Sequence, residues 1–121
     1  MSKTVMIVDD SASLRQVVNI TLQGAGYDVI EACDGKDALA KLDGRKIHLV
    51  ISDVNMPNMD GFSFVAEMKR LDGYKFTPVI MLTTEAGTEK KQAGQKAGAK
   101  AWVVKPFQPA QMLAAVTQLI M

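Results

Sequence analysis

Residues 4–13 read TVMIVDDSAS, a five-residue apolar run that ends in two adjacent carboxylates, Asp9 and Asp10. The run is strand-sized and almost continuously apolar, as is a parallel strand covered on both faces. The acids that end it make no sense as packing, because neighbouring like charges repel and raise one another's pKa unless a cation joins them. Asp10 or Ser11 could cap a helix that follows. A strand, a polar corner and a helix start within ten residues set the pattern for the rest of the chain.

The same pattern recurs. YDVIEA, IHLVIS, PVIML and AWVV are further strand-sized runs, and the third and fourth strands, like the first, are nearly unbroken in apolar residues. Helix-sized segments lie between them. Leu14, Val17, Val18, Thr21 and Leu22 follow the spacing of one helical face, and GAG at 24–26 ends that helix. Ala38, Leu39 and Leu42 predict a second helix before Gly44, and Phe64, Val65, Met68 and Leu71 a third between Gly61 and Gly73. Thr88 predicts the N-cap of a fourth, and Pro109 opens a fifth that carries Met112, Leu113, Val116, Leu119 and Ile120. Five strand–helix pairs predict an α/β fold with a doubly wound parallel sheet.

In such a sheet, ligands bind beyond the carboxyl ends of the strands. Asp9 and Asp10 follow the first strand, Asp53 the third, Thr83 and Thr84 the fourth, and Lys105 the fifth. Taken singly, Asp53 reads as a loop acid, Thr83 as a turn cap and Lys105 as a solvated lysine. Together they place three carboxylates, a hydroxyl and an ammonium on one rim. A hard divalent cation with oxygen ligands explains the crowding. Mg²⁺ takes one or two carboxylates, keeps several waters and leaves room for a phosphate oxygen.

Bulk properties exclude other classes. At 121 residues the chain has the length of one domain with one real core. Its formal net charge of +1 lacks the basic excess of a nucleic-acid-binding surface. The single cysteine, Cys33, forbids an internal disulfide, and no apolar stretch reaches membrane-spanning length. The N-terminal run meets acids too soon to be a signal peptide, so a cytoplasmic protein is expected.

VDD after the first strand, DVNMPNMDG after the third, LTTEA after the fourth and VVKPF after the fifth resemble the receiver domain of two-component response regulators. The match spans essentially the whole chain, residues 1–121, with no output domain expected. That feature and DGKDALAKL bring the chain nearest to the CheY-like single-domain chemotaxis regulators. The resemblance implies a flavodoxin-like (βα)5 fold with strand order 2-1-3-4-5. It implies that Asp53 is the phosphoacceptor. Asp10 and Asp53 would bind Mg²⁺, or Mn²⁺ in its place, with the backbone carbonyl of Asn55, while Asp9 acts through a bound water. Lys105 and Thr83 would stabilise the phosphoryl group, and the Lys105–Pro106 bond would be cis. Thr83 and Trp102 would form the switch, with Trp102 at a position where tyrosine or phenylalanine is usual. Plain packing is the competing role for Trp102. Asn55 and Glu85 would tune a short-lived phosphorylated state.

The resemblance also implies a sensor histidine kinase as phosphodonor and a flagellar motor switch protein or a phosphatase as further partner. A phosphate sink or a non-motility pathway are the other uses of such a chain. Neither nucleic acid nor membrane is expected, and the protein would be a monomer or a dimer formed on phosphorylation. It would be no enzyme beyond its own phosphorylation and dephosphorylation. A Mg²⁺-dependent phosphohydrolase of the haloacid dehalogenase type would need a second acid two residues past Asp53, where Asn55 stands. Intact site residues speak against a phosphorylation-independent binding module, and no Gly-rich phosphate loop supports a flavodoxin-like cofactor binder.

Overall fold

Five parallel strands form the centre of the computed structural model, which describes residues 3–83 and 99–120. In chain order the elements are β1 (Thr4–Val8), α1 (Ala12–Gly24), β2 (Asp28–Ala32), α2 (Gly35–Lys41), β3 (Leu49–Asp53), α3 (Gly61–Lys69), a 3₁₀ turn (Asp72–Tyr74), β4 (Val79–Thr83), β5 (Ala101–Val104) and α4 (Pro109–Leu119). The strand order is β2-β1-β3-β4-β5. The helix expected to open at Thr88 lies outside the described residues.

Alternation along each strand builds two cores. Val5, Ile7, Leu49, Ile51, Ile80, Leu82 and Val103 face one layer, where they meet Val18 and Leu22 of α1 and Met112 and Val116 of α4. Met6, Val8, Val50 and Met81 face the other, against Ala38 of α2 and Phe64, Val65 and Met68 of α3. Every residue of β3 and β4 is buried, as the unbroken apolar runs predict. Each large side chain buried this way contributes about 1.5–3 kcal/mol, which fixes the carboxyl ends of the central strands.

Local chemistry explains the helix ends. Ser11 is the N-cap of α1 and its hydroxyl accepts from Leu14 N–H. Asp34 and Asp60 cap α2 and α3 in the same way, through Asp37 N–H and Ser63 N–H. Gly26 follows α1 at φ 95°, a conformation that suits glycine. Pro109 occupies the first turn of α4, where its missing N–H costs nothing.

Two expectations are corrected, the first at Leu71, which the spacing places in the third helix but which lies beyond its end at Lys69 and is 38% exposed. Val17, placed on one helical face with Val18 and Leu22, is 48% exposed. The helix packs through Val18 and Leu22, and Val17 lies about 100° round from Val18. It borders an open groove of about 390 Å³ shared with Leu14, Pro106 and Phe107, which no described side chain fills. No described helix is long and apolar enough to cross a membrane.

Candidate functional site

Asp9 directly follows β1, and Asp53 is the last residue of β3, the strand beside it. Parallel pairing aligns their ends, and Asp10 follows on the same corner. One carboxylate oxygen from each of Asp9, Asp10 and Asp53 lies within 4.8 Å of the others. Trans oxygens around Mg²⁺ are about 4.2 Å apart, so the three acids need draw together only slightly to share an ion of that size.

Lys105 reaches this cluster from the end of β5. Its Nζ lies 2.9 Å from Asp9 Oδ2 and 3.1 Å from Asp53 Oδ2. The Lys105–Pro106 peptide is cis. The Lys105 N–H donates to the Thr83 carbonyl at 2.7 Å, which carries the β4–β5 pairing up to the rim. Thr83, the last residue of β4, is wholly buried.

The three acids differ in commitment. Asp9 is fully buried, and both its carboxylate oxygens are engaged: Oδ1 accepts from Ser11 N–H at 2.8 Å and Oδ2 from Lys105. Asp10 is exposed, and among the described residues its carboxylate has no partner. Asp53 is 6% exposed. Burial, and then the charge of Asp9, push its carboxyl above the usual carboxylate range, against the pull of Lys105. Burial by itself would lower the Lys105 ammonium, but Asp9 and Asp53 outweigh it and raise its pKa. Lys105 thus pairs with two of the three carboxylates, and a cation would relieve the remaining negative charge.

The loop after Asp53 is held from two sides. Gly61 N–H donates to Val54 O at 2.8 Å, and Val54 N–H to Leu82 O at 2.9 Å. Asn58, at φ 69°, donates from its side-chain amide to Asp34 Oδ2 at 2.8 Å. Asn55 is exposed on this loop, two residues past Asp53. Trp102, on β5, is partly buried against the α3 side of the sheet and stacks on Phe62 with ring centroids 6.2 Å apart. Its indole N–H is buried and, among the described residues, has no hydrogen-bond partner. Thr84, Glu85, Gly87 and the lysines at 90, 91 and 96 lie outside the described residues.

Residues 5–117 match the family model described as the response regulator receiver domain. The chain belongs to this family. It is 38% identical to Protein PilG of Pseudomonas aeruginosa over 93% of this chain and 83% of that protein. It is 40% identical to Chemotaxis protein CheY1 of Helicobacter pylori over 86% of each. Among solved structures it is similar to the Vibrio cholerae chemotaxis protein CheY4, with a TM-score of 0.96 and 49% identity over 99% of this chain and 100% of that one. The receiver is thus of the two-component type and lies close to chemotaxis regulators.

Sequence reasoning missed three residues at the edge of the site. Arg15 on α1 donates to the Asp9 carbonyl at 2.5 Å and pairs with Glu31 on β2 at 3.0 Å. Asn19 donates to the other Glu31 oxygen at 2.8 Å. The available signal was Glu31 itself, an acid in the middle of the apolar run YDVIEA.

Proposed function

We propose that this receiver accepts a phosphoryl group from a sensor histidine kinase on Asp53, with Mg²⁺, and changes its partner-binding face in a chemotaxis-type pathway of the cytoplasm. The observation that carries the proposal is the Asp53 carboxylate itself. It ends a fully buried strand, shares Lys105 with Asp9, and belongs to a three-acid cluster able to hold one divalent ion.

In this reading an Asp53 oxygen attacks phosphorus, the P–N bond of the phosphohistidine breaks, and the imidazole leaves with its electron pair to be protonated. A bound Mg²⁺ would supply charge neutralisation on the phosphoryl oxygens. Asp10, Asp53 and the Asn55 carbonyl would hold it. Asp9, with both oxygens committed, would act through a water. Lys105 neutralises the charge that the transfer brings to the rim, and the Thr83 hydroxyl donates to a phosphoryl oxygen. Asn55 and Glu85 would tune the later hydrolysis of the acyl phosphate. Thr83 and Trp102 pass the change to a partner, a flagellar motor switch protein or a phosphatase.

Incubation with acetyl phosphate tests the proposal. Wild-type protein takes up phosphate only with Mg²⁺, and Asp53→Asn takes up none. Steady turnover of a small phosphomonoester would instead mark a phosphohydrolase and overturn the proposal.

A further inference from the structure

We propose that Arg15, clamped by Glu31, is a positioning residue for the metal site, and that it acts by fixing the peptide unit between Asp9 and Asp10. The inference rests on the function proposed above.

The two acids arrive at the rim by different means. The Asp9 side chain is tied at both oxygens, by Ser11 N–H and Lys105. Asp10 has no such tie among the described residues, so the backbone that carries it sets which rotamers bring its carboxylate to the rim. That backbone begins at the peptide joining Asp9 to Asp10. Its carbonyl oxygen belongs to Asp9 and accepts from Arg15 Nη1 at 2.5 Å. Because the peptide is planar, holding that oxygen fixes the plane from which the Asp10 side chain departs.

Arg15 is itself held. Its Nε donates to Glu31 Oε1 at 3.0 Å, and Asn19 Nδ2 occupies Glu31 Oε2 at 2.8 Å. The Arg15 side chain is 17% exposed and that of Glu31 37%. Arg15 thus bonds two groups from different segments, the Glu31 carboxylate on β2 and the Asp9 carbonyl after β1. The planar guanidinium bridges the acid on β2 and the carbonyl after β1 through two nitrogens held in fixed relation, Nε and Nη1. Asp9 N–H donates to Ala32 O at 3.1 Å, so the corner is also tied to the end of β2 on its amide side.

Position and charge make opposite predictions. Arg15 carries a positive charge beside an acidic cluster. If charge alone mattered, removing it would tighten Mg²⁺ binding. If position matters, removing it weakens binding, as loss of groups that orient metal ligands commonly does by about tenfold or more.

The test is Mg²⁺ titration by calorimetry of wild type, Arg15→Ala, Glu31→Ala and the double variant, with phosphorylation by acetyl phosphate followed across Mg²⁺ concentration. We expect Kd for Mg²⁺ to rise about tenfold in each single variant. The double variant should be no worse than either, because the two residues act as one unit. The phosphorylation rate of Arg15→Ala should return to that of wild type at saturating Mg²⁺, whereas general loosening of the fold would depress it there too. Should Glu31→Ala fail to fold, Glu31→Gln keeps the shape and weakens the clamp, and a smaller rise in Kd is expected. Unchanged or tighter Mg²⁺ binding in folded variants overturns the inference. Wild-type protein that binds no Mg²⁺ overturns the function on which it rests.

Discussion

Gly61→Ala probes how tightly the acceptor is packed. A Cβ on residue 61 would lie 2.1 Å from the Asp53 carbonyl oxygen and 2.9 Å from Met81 Cε, and ordinary contact begins only at 3.4 Å. The methionine tip can swing aside. The carbonyl cannot, because Asp53 pairs in register with Leu82 and its strand is buried throughout. Nor can α3 easily retreat, since Phe64, Val65 and Met68 anchor it at zero exposure. Overpacking typically costs about 1–3 kcal/mol, and a backbone-on-backbone clash belongs at the upper end. Replacing glycine returns about 0.4–1 kcal/mol through the unfolded chain. The net expectation is a loss of about 2 kcal/mol, or about 8 °C in Tm for a domain of this size.

Gly35→Ala is the matched control. There the nearest atoms to the new Cβ belong to the Met59 side chain, at 2.9–3.0 Å, with no backbone atom among them, so about 1 kcal/mol is expected. Urea denaturation at constant m-value measures both. Phosphate uptake should fall in Gly61→Ala, since the residue displaced is the acceptor, and persist in Gly35→Ala. Equal stability of the two variants would refute the packing argument.

Three further outcomes follow from the site. Because the folded protein raises the Asp53 pKa, its contribution to metal-free stability is present below about pH 3.9 and lost as pH rises through the raised value. Asp53→Asn in EDTA at neutral pH should therefore unfold at higher urea than wild type, and a lower midpoint would contradict the sign. Lys105→Met leaves the wholly buried Asp9 carboxylate without its cation and should cost about 3 kcal/mol at neutral pH, partly restored by Mg²⁺; unaltered thermal unfolding would show the pair to be inert. Trp102 fluorescence should change little with Mg²⁺ alone and clearly with Mg²⁺ plus beryllofluoride, less so in Thr83→Ala. No response to the mimic at full occupancy would make Trp102 plain packing.

The fold was legible because two periods carry it. Val5–Val8, Leu49–Asp53 and Val79–Thr83 are unbroken buried strands, and each polar rim residue sits where its run ends. Strand order came from resemblance, since parallel pairing between distant runs leaves no mark on local periodicity. Val17 was misplaced because helical spacing defines a face but not how wide a stripe the partner layer covers. The acids and Lys105 were legible because unlike residues at strand ends are few. Arg15 was not, because an arginine six residues past Asp9 reads as an ordinary helix charge until β2 brings Glu31 beside it. The Asn58–Asp34 tie was hidden for the same reason: it joins two loops 24 residues apart.

The most direct test of the central claim is to trap the acyl phosphate. After reaction with acetyl phosphate and Mg²⁺, borohydride reduces a phosphorylated aspartate to homoserine, which peptide mass spectrometry then locates. The account predicts homoserine at position 53 alone, and none when Mg²⁺ is withheld. Homoserine at position 9 or 10, or phosphate retained on Thr83 with position 53 unmodified, would contradict it.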